Sequence, residues 1–157
     1  MSKFDKAMIE TAKIWAQQSY CVKKQVGAVL ASDDGRIIAT GYNGTVSGQP
    51  NVCEIEVANP NYGKRITQDT CIPKILKTSD FTVHAEQNVL AFCAKDGIST
   101  DGATMYITLS PCATCAKFMV QAGIKRVVYL EKYKDLSGVK FLGDCGVEVQ
   151  QYKGEEK

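Results

Sequence analysis

Three features of this chain predict an α/β protein built on a mixed central sheet. Short apolar runs recur at 26–31, 36–40, 104–109, 126–130 and 147–150, separated by amphipathic helical patterns. The run at 104–109, a helical stretch opening near Pro111 and the run at 126–130 follow in the strand, helix, strand order of a parallel crossover. The pair 26–31 and 36–40 is joined by Ser32, Asp33, Asp34 and Gly35, a turn sequence that suits an antiparallel hairpin. The expectation is one domain over 1–157, three-layer α/β/α, with about five strands and helices on both faces.

Each element has a local reason. Residues 3–18 place Phe4, Met8, Ala12, Trp15 and Ala16 along one helical face, which predicts an amphipathic first helix with Trp15 in the core. Between 44 and 81 the periodicity fades amid Pro50, Pro60, Gly63 and Pro73, so this stretch reads as a long loop. From His84 to Lys95 good helix formers dominate, with Val89, Leu90, Phe92 and Cys93 giving an apolar face. Thr82 suits its cap and Gly97 its stop. Pro111 suits the first turn of the next helix, which continues through 116–122 to Gly123. The run at 147–150 reads as a last edge strand.

Composition narrows the function classes. A chain of 157 residues with 45% apolar content can bury a real core but leaves little for a second domain. No apolar run approaches a membrane span, and the opening residues MSKFDKAMIE lack the features of a signal peptide, so a cytoplasmic location is expected. Seven cysteines, an odd count without export signals, favour reduced thiols and metal ligation over disulfides. A net charge of +2 argues against a dedicated polynucleotide surface and leaves a mononucleotide ligand open.

The chemistry concentrates in two segments, His84-Ala85-Glu86 and Pro111-Cys112-Ala113-Thr114-Cys115. One imidazole and two thiolates supply three ligands, which leaves a tetrahedral zinc one open position for water. Glu86 is placed to move protons to and from that water without binding the metal. Positions i and i+2 lie about 200° apart on a helix, so His84 and Glu86 meet at one point only if the site sits off the helix's N-terminal end. Cys112 and Cys115 are i,i+3 neighbours at the start of the second helix, and two helix N-termini converging on a zinc favour thiolates. A structural zinc knuckle is the bland alternative. It wants four protein ligands, whereas the single histidine here is paired with a glutamate at a fixed offset.

The pattern H-x-E followed by P-C-x-x-C matches the signature of zinc nucleobase deaminases. More fully, the chain resembles the deoxycytidylate (dCMP) deaminases of the cytidine deaminase-like fold. The resemblance runs almost end to end, through QVGAV at 25–29, DGRII at 34–38, GYNGT at 41–45, HAEQN at 84–88, PCATC at 111–115 and AKFMVQAGIK at 116–125. GYNGT is the most discriminating segment, because transfer-RNA adenosine deaminases and guanine deaminases share the zinc motif but usually differ there. The resemblance implies zinc-dependent hydrolysis of dCMP to dUMP and ammonia, which supplies dUMP for thymidylate synthesis. It implies zinc on His84, Cys112 and Cys115, with Glu86 as the proton carrier. It further implies Asn43 at the nucleotide sugar and the Ala85 amide and Ser110 backbone at the cytosine edge. For Asn43 the alternative is that Gly41 and Gly44 merely permit a tight turn.

For the 5′-phosphate, relatives carry basic residues before the first strand and a tyrosine after the fourth, which points to Lys24 and Tyr133, with Lys23 and Lys134 nearby. Ordinary surface lysines are the competing reading. Some relatives hold a second, structural zinc with cysteines matching Cys21 and Cys53. Cys71 adds a third candidate, but no histidine is left over. The resemblance also implies a homohexamer activated by dCTP and inhibited by dTTP. Two rivals stand beside this reading: an editing deaminase on tRNA or single-stranded DNA, which would need a basic groove and stacking aromatics, and a non-catalytic zinc-binding scaffold.

Overall fold

In the computed structural model, which describes residues 2–64 and 72–154, the chain runs α1 (Asp5–Ala16), β1 (Gly27–Ala31), β2 (Ile37–Tyr42), β3 (Gly44–Thr45), β4 (Glu54–Ala58), β5 (Lys74–Thr78) and β6 (Thr82–Val83). It continues through α2 (Ala85–Asp96), β7 (Thr104–Leu109), α3 (Ala113–Gln121), β8 (Arg126–Glu131), α4 (Ser137–Asp144) and β9 (Glu148–Gln151). The central sheet has five strands in the order β2-β1-β7-β8-β9. β1 is antiparallel to both neighbours, whereas β7, β8 and β9 run parallel. The sheet is therefore mixed, with β9 at one edge, and α3 makes the expected crossover.

Strand alternation sorts the core into two faces. Ala28, Leu30, Met105, Ile107 and Val127 point to one side, where Val89 and Cys93 of α2, Met119 of α3 and Leu142 of α4 cover them. Val29, Ala31, Tyr106 and Val128 point to the other, against Met8, Ile9 and Ala12 of α1 and Tyr152. Helices lie on both faces, three against one among the described residues. Met105, Ile107 and Met119 are fully buried, and each large apolar side chain so removed from water stabilises the fold by roughly 1.5–3 kcal/mol. The second face is also braced by charge. Arg126 donates to both oxygens of buried Asp5 at 2.8 Å, and Tyr106 donates its hydroxyl to Asp5 at 3.0 Å.

Several expectations need correction. Trp15 is 37% exposed and stacks on Tyr42 at 6.2 Å, so it lies at the margin of the core. The stretch from 44 to 81 is not simply a loop. Gly44–Thr45 pairs with Thr82–Val83, and β4 pairs antiparallel with β5. Both strands are mostly exposed and interleave their apolar residues with Glu54, Glu56, Lys74 and Lys77, so no dense apolar run marks that hairpin. Helix α4 has no counterpart in the sequence reading: its eight residues include two glycines, and its start is held by Asp135, which accepts the Ser137 N–H at 2.8 Å from outside the helix. Gly41 serves close approach rather than a turn. A Cβ there would lie 2.9 Å from Val89 Cγ2 and 3.0 Å from the Ala85 carbonyl oxygen, so its absence lets α2 settle onto β2.

Candidate active site

Helices α2 and α3 bring their N-terminal ends together beyond the C-terminal end of β7. His84 precedes α2 in extended conformation, with ψ 157°, and so acts as its N-cap. Gln87 closes this end by accepting the His84 N–H at 2.9 Å. Thr82, the expected cap, instead donates its hydroxyl to the Cys53 carbonyl at 3.0 Å. Because His84 lies outside the helix and Glu86 in its first turn, the two side chains escape the 200° separation that a continuous helix would impose. α3 is capped by Cys112, whose sulfur accepts the Cys115 N–H at 3.5 Å.

His84 Nδ1 lies 3.7 Å from Cys112 Sγ and 3.4 Å from Cys115 Sγ. The three donor atoms all fall within 4.8 Å of one another. One imidazole and two sulfurs on three corners suit zinc with a side left open. Proton sharing inside the cluster is uneven. The Cys112 thiol is pushed down to about 3, first by the hydrogen bond from Cys115 and then by that from His84. The same hydrogen bond, with burial, pushes Cys115 up, and the Cys112 sulfur raises His84. Of the two sulfurs, Cys112 is the one that this hydrogen bonding favours as a thiolate. Glu86 is 4% exposed, and burial raises its carboxyl above the usual range. A carboxyl so placed can hold a proton as well as release one.

A cavity of about 460 Å³ opens over this cluster, a volume within the span of small-molecule sites. Glu86, Ala85, Asn43, Ser110, Lys24 and Tyr133 all line it, and Lys23 and Lys134 stand at its rim. Ala85 occupies the first helical position, whose N–H has no partner within the helix. Ser110 donates its N–H to the Glu131 carbonyl and accepts the Tyr133 N–H on its hydroxyl, each at 2.8 Å. The segment carrying Tyr133 therefore hangs on Ser110. Asn43 is buried, accepting the Val26 N–H at 2.7 Å and donating to the Lys24 carbonyl at 2.8 Å. Its side chain braces the approach to β1 as well as facing the cavity. Lys24 pairs at 3.7 Å with Glu131, both well exposed.

Of the candidate second-zinc residues, Cys21 and Cys53 are joined as a disulfide with Cα atoms 5.0 Å apart. This corrects the expectation of reduced thiols there, since both sulfurs are used by each other. Cys71 lies outside the described residues. Glu54 and Thr78 also line the cavity. They come from the hairpin read as loop, and nothing in their local spacing marks them.

Comparison with known proteins agrees with this arrangement. The family described as the cytidine and deoxycytidylate deaminase zinc-binding region matches residues 2–131. The deoxycytidylate deaminase of Enterobacteria phage T4 is 35% identical over 167 residues, covering 90% of this chain and 86% of the relative. The crystal structure of a dCMP deaminase from the cyanophage S-TIM5, in complex with dCMP and dUMP, superposes with a TM-score of 0.80. It is 36% identical and covers 97% of this chain and 99% of that one. A tRNA:A34 deaminase structure is similar at TM-score 0.57 with 23% identity, covering 94% of this chain and 98% of that one, which extends to the fold alone.

Proposed function

The chain belongs to the cytidine and deoxycytidylate deaminase family, and from that membership and its site we propose that it hydrolyses dCMP to dUMP and ammonia. One observation carries the reading: buried Glu86 stands beside a three-donor His84, Cys112, Cys115 cluster on the wall of a nucleotide-sized cavity. The residues 1–157 act in this reading as one zinc-dependent deaminase domain.

His84, Cys112 and Cys115 would hold the zinc, which when bound supplies Lewis acidity and a more acidic water. Every other task falls to the chain. Glu86 takes a proton from the attacking water and delivers it to ring N3 as the oxygen adds to C4. It then carries a proton to the amino group, so that ammonia leaves and the C4 carbonyl of dUMP forms. Burial suits Glu86 to both halves, because its neutral form is accessible. The Ala85 N–H and the Ser110 backbone orient the cytosine edge. Asn43 borders the sugar while holding Val26 and Lys24 in place. Lys24 and Tyr133 face the 5′-phosphate; for Lys24 this means exchanging its pairing with Glu131 for one with the substrate.

Regulation by dCTP and dTTP and assembly into a homohexamer belong to the same proposal and rest on resemblance. The test is ammonia release by zinc-loaded protein from dCMP, deoxycytidine, and cytosine- or adenosine-bearing oligonucleotides, with and without dCTP and dTTP. Turnover of dCMP over the others supports the reading. Activity on the oligonucleotide alone would replace it with that of an editing enzyme, and zinc binding without any turnover would leave only a scaffold.

A further inference from the structure

The rim of the cavity is held from behind by a carboxylate that the reaction does not use. Glu54, at the start of β4, accepts the Val22 N–H at 3.0 Å and the Lys23 N–H at 3.1 Å, one on each oxygen. The segment it grips is the one that carries Lys23 and Lys24 past the cavity. Beside it Cys21 is bonded to Cys53, the residue preceding Glu54. On the far side the Lys24 carbonyl and Val26 N–H are taken by Asn43. Two successive amides on one carboxylate are charge-assisted hydrogen bonds, roughly twice as strong as neutral ones. Chain separation makes the contact informative. The partners lie 32 and 31 residues apart, so no local turn geometry requires it.

We propose that Glu54 is a positioning residue for the substrate's phosphate, setting the Lys23–Lys24 segment at the cavity rim through the Val22 and Lys23 amides. The inference rests on the dCMP reading of the cavity. Glu54 itself lines that cavity, and a free carboxylate there would repel a phosphate dianion. The two N–H donors leave the carboxylate its charge but make it a support for the segment that carries the lysines. This gives a sign that separates positioning from simple charge. If Glu54 acted only through its charge, neutralising it would tighten phosphate binding; as a positioning residue, its loss weakens it.

The experiment is calorimetric binding of dUMP and of deoxyuridine to zinc-loaded wild type, Glu54→Gln and Glu54→Ala, with ammonia release from dCMP measured in parallel. Glu54→Ala should lower dUMP affinity about tenfold and Glu54→Gln about threefold, since the amide keeps one acceptor, while deoxyuridine affinity moves less than twofold. The rise in KM for dCMP should exceed any fall in kcat. Equal or tighter dUMP binding by either variant, or an equal loss for dUMP and deoxyuridine, overturns the inference. Failure of the wild type to release ammonia from dCMP would instead overturn the functional reading, and the inference with it.

Discussion

Helix α4 touches the metal-ligand segment through a missing side chain, and filling that gap should disable the site from behind. A Cβ added at Gly138 would lie 2.2 Å from the Pro111 carbonyl oxygen, 2.6 Å from Cys112 C and 2.7 Å from Cys112 O. Ordinary carbon-to-oxygen contacts begin at ~3.3 Å, so Gly138→Ala demands about 1 Å of separation against backbone on both sides. Backbone cannot rotate out of the way as a flexible side chain can. Overpacking of this kind costs typically ~1–3 kcal/mol, and a 1 Å misplacement at a reacting centre costs on the order of 10²-fold in rate. Because the clash falls on Cys112 itself, zinc retention should weaken along with turnover. Gly143, in the same helix, has nothing within 4 Å of its would-be Cβ. Gly143→Ala should therefore match or exceed wild-type stability, by at most ~1 kcal/mol from helix propensity. Urea denaturation, zinc release to a chromogenic chelator and ammonia release from dCMP measure the three consequences. Wild-type zinc retention and turnover in Gly138→Ala would refute the claim that α4 buttresses Cys112.

Glu86→Gln should keep the fold and bind one zinc per chain but lose roughly 10²–10⁴-fold in kcat for dCMP; metal analysis beside a turnover assay checks both halves. Cys115→Ala removes one of three donors, and dialysed protein should then lose its zinc while retaining its far-ultraviolet circular dichroism spectrum. Asp5→Asn removes the bidentate partner of the Arg126 guanidinium, 13% exposed, but leaves it Glu148 at 3.1 Å and Gln150 at 2.7 Å, so it should cost about 1.5–3 kcal/mol in urea unfolding. The same pair gives an acid limb to stability. Burial by itself would raise Asp5, but the Arg126 hydrogen bonds, with the Ser2 amide and Tyr106 hydroxyl, outweigh it and hold the carboxyl below its ordinary 3.8. A carboxyl lowered in the folded state contributes fully above its unfolded value and loses that contribution as pH falls through the folded one. Unfolding midpoints should decline below about pH 4, and Asp5→Asn should flatten that decline.

The central sheet and the zinc donors were legible because their signals are local. Val26–Ala31, Thr104–Leu109 and Arg126–Leu130 are short, dense apolar runs, and the observed strands begin and end within two residues of them. His84, Glu86, Cys112 and Cys115 are fixed by spacing within two short segments, since a helix start dictates where neighbours one to three residues away must point. That spacing required the site to lie off the N-terminal end of α2; the helical pattern starts at His84, whereas the structure starts α2 at Ala85 and makes His84 its N-cap. What tertiary structure alone decided involves partners far apart in sequence. Nothing near Glu54 indicates Val22 and Lys23, and nothing near Asp5 indicates Arg126, 121 residues on. Cys21 and Cys53 carried the composition of reduced thiols, yet the fold sets their Cα atoms 5.0 Å apart. Gly138 was an unremarked glycine until α4 met Pro111 and Cys112. The sequence by itself determined which groups make up the candidate site, because ligand spacing is a property of neighbouring residues. Only the folded sheet, by setting which distant segments lie side by side, decided what holds those groups in place.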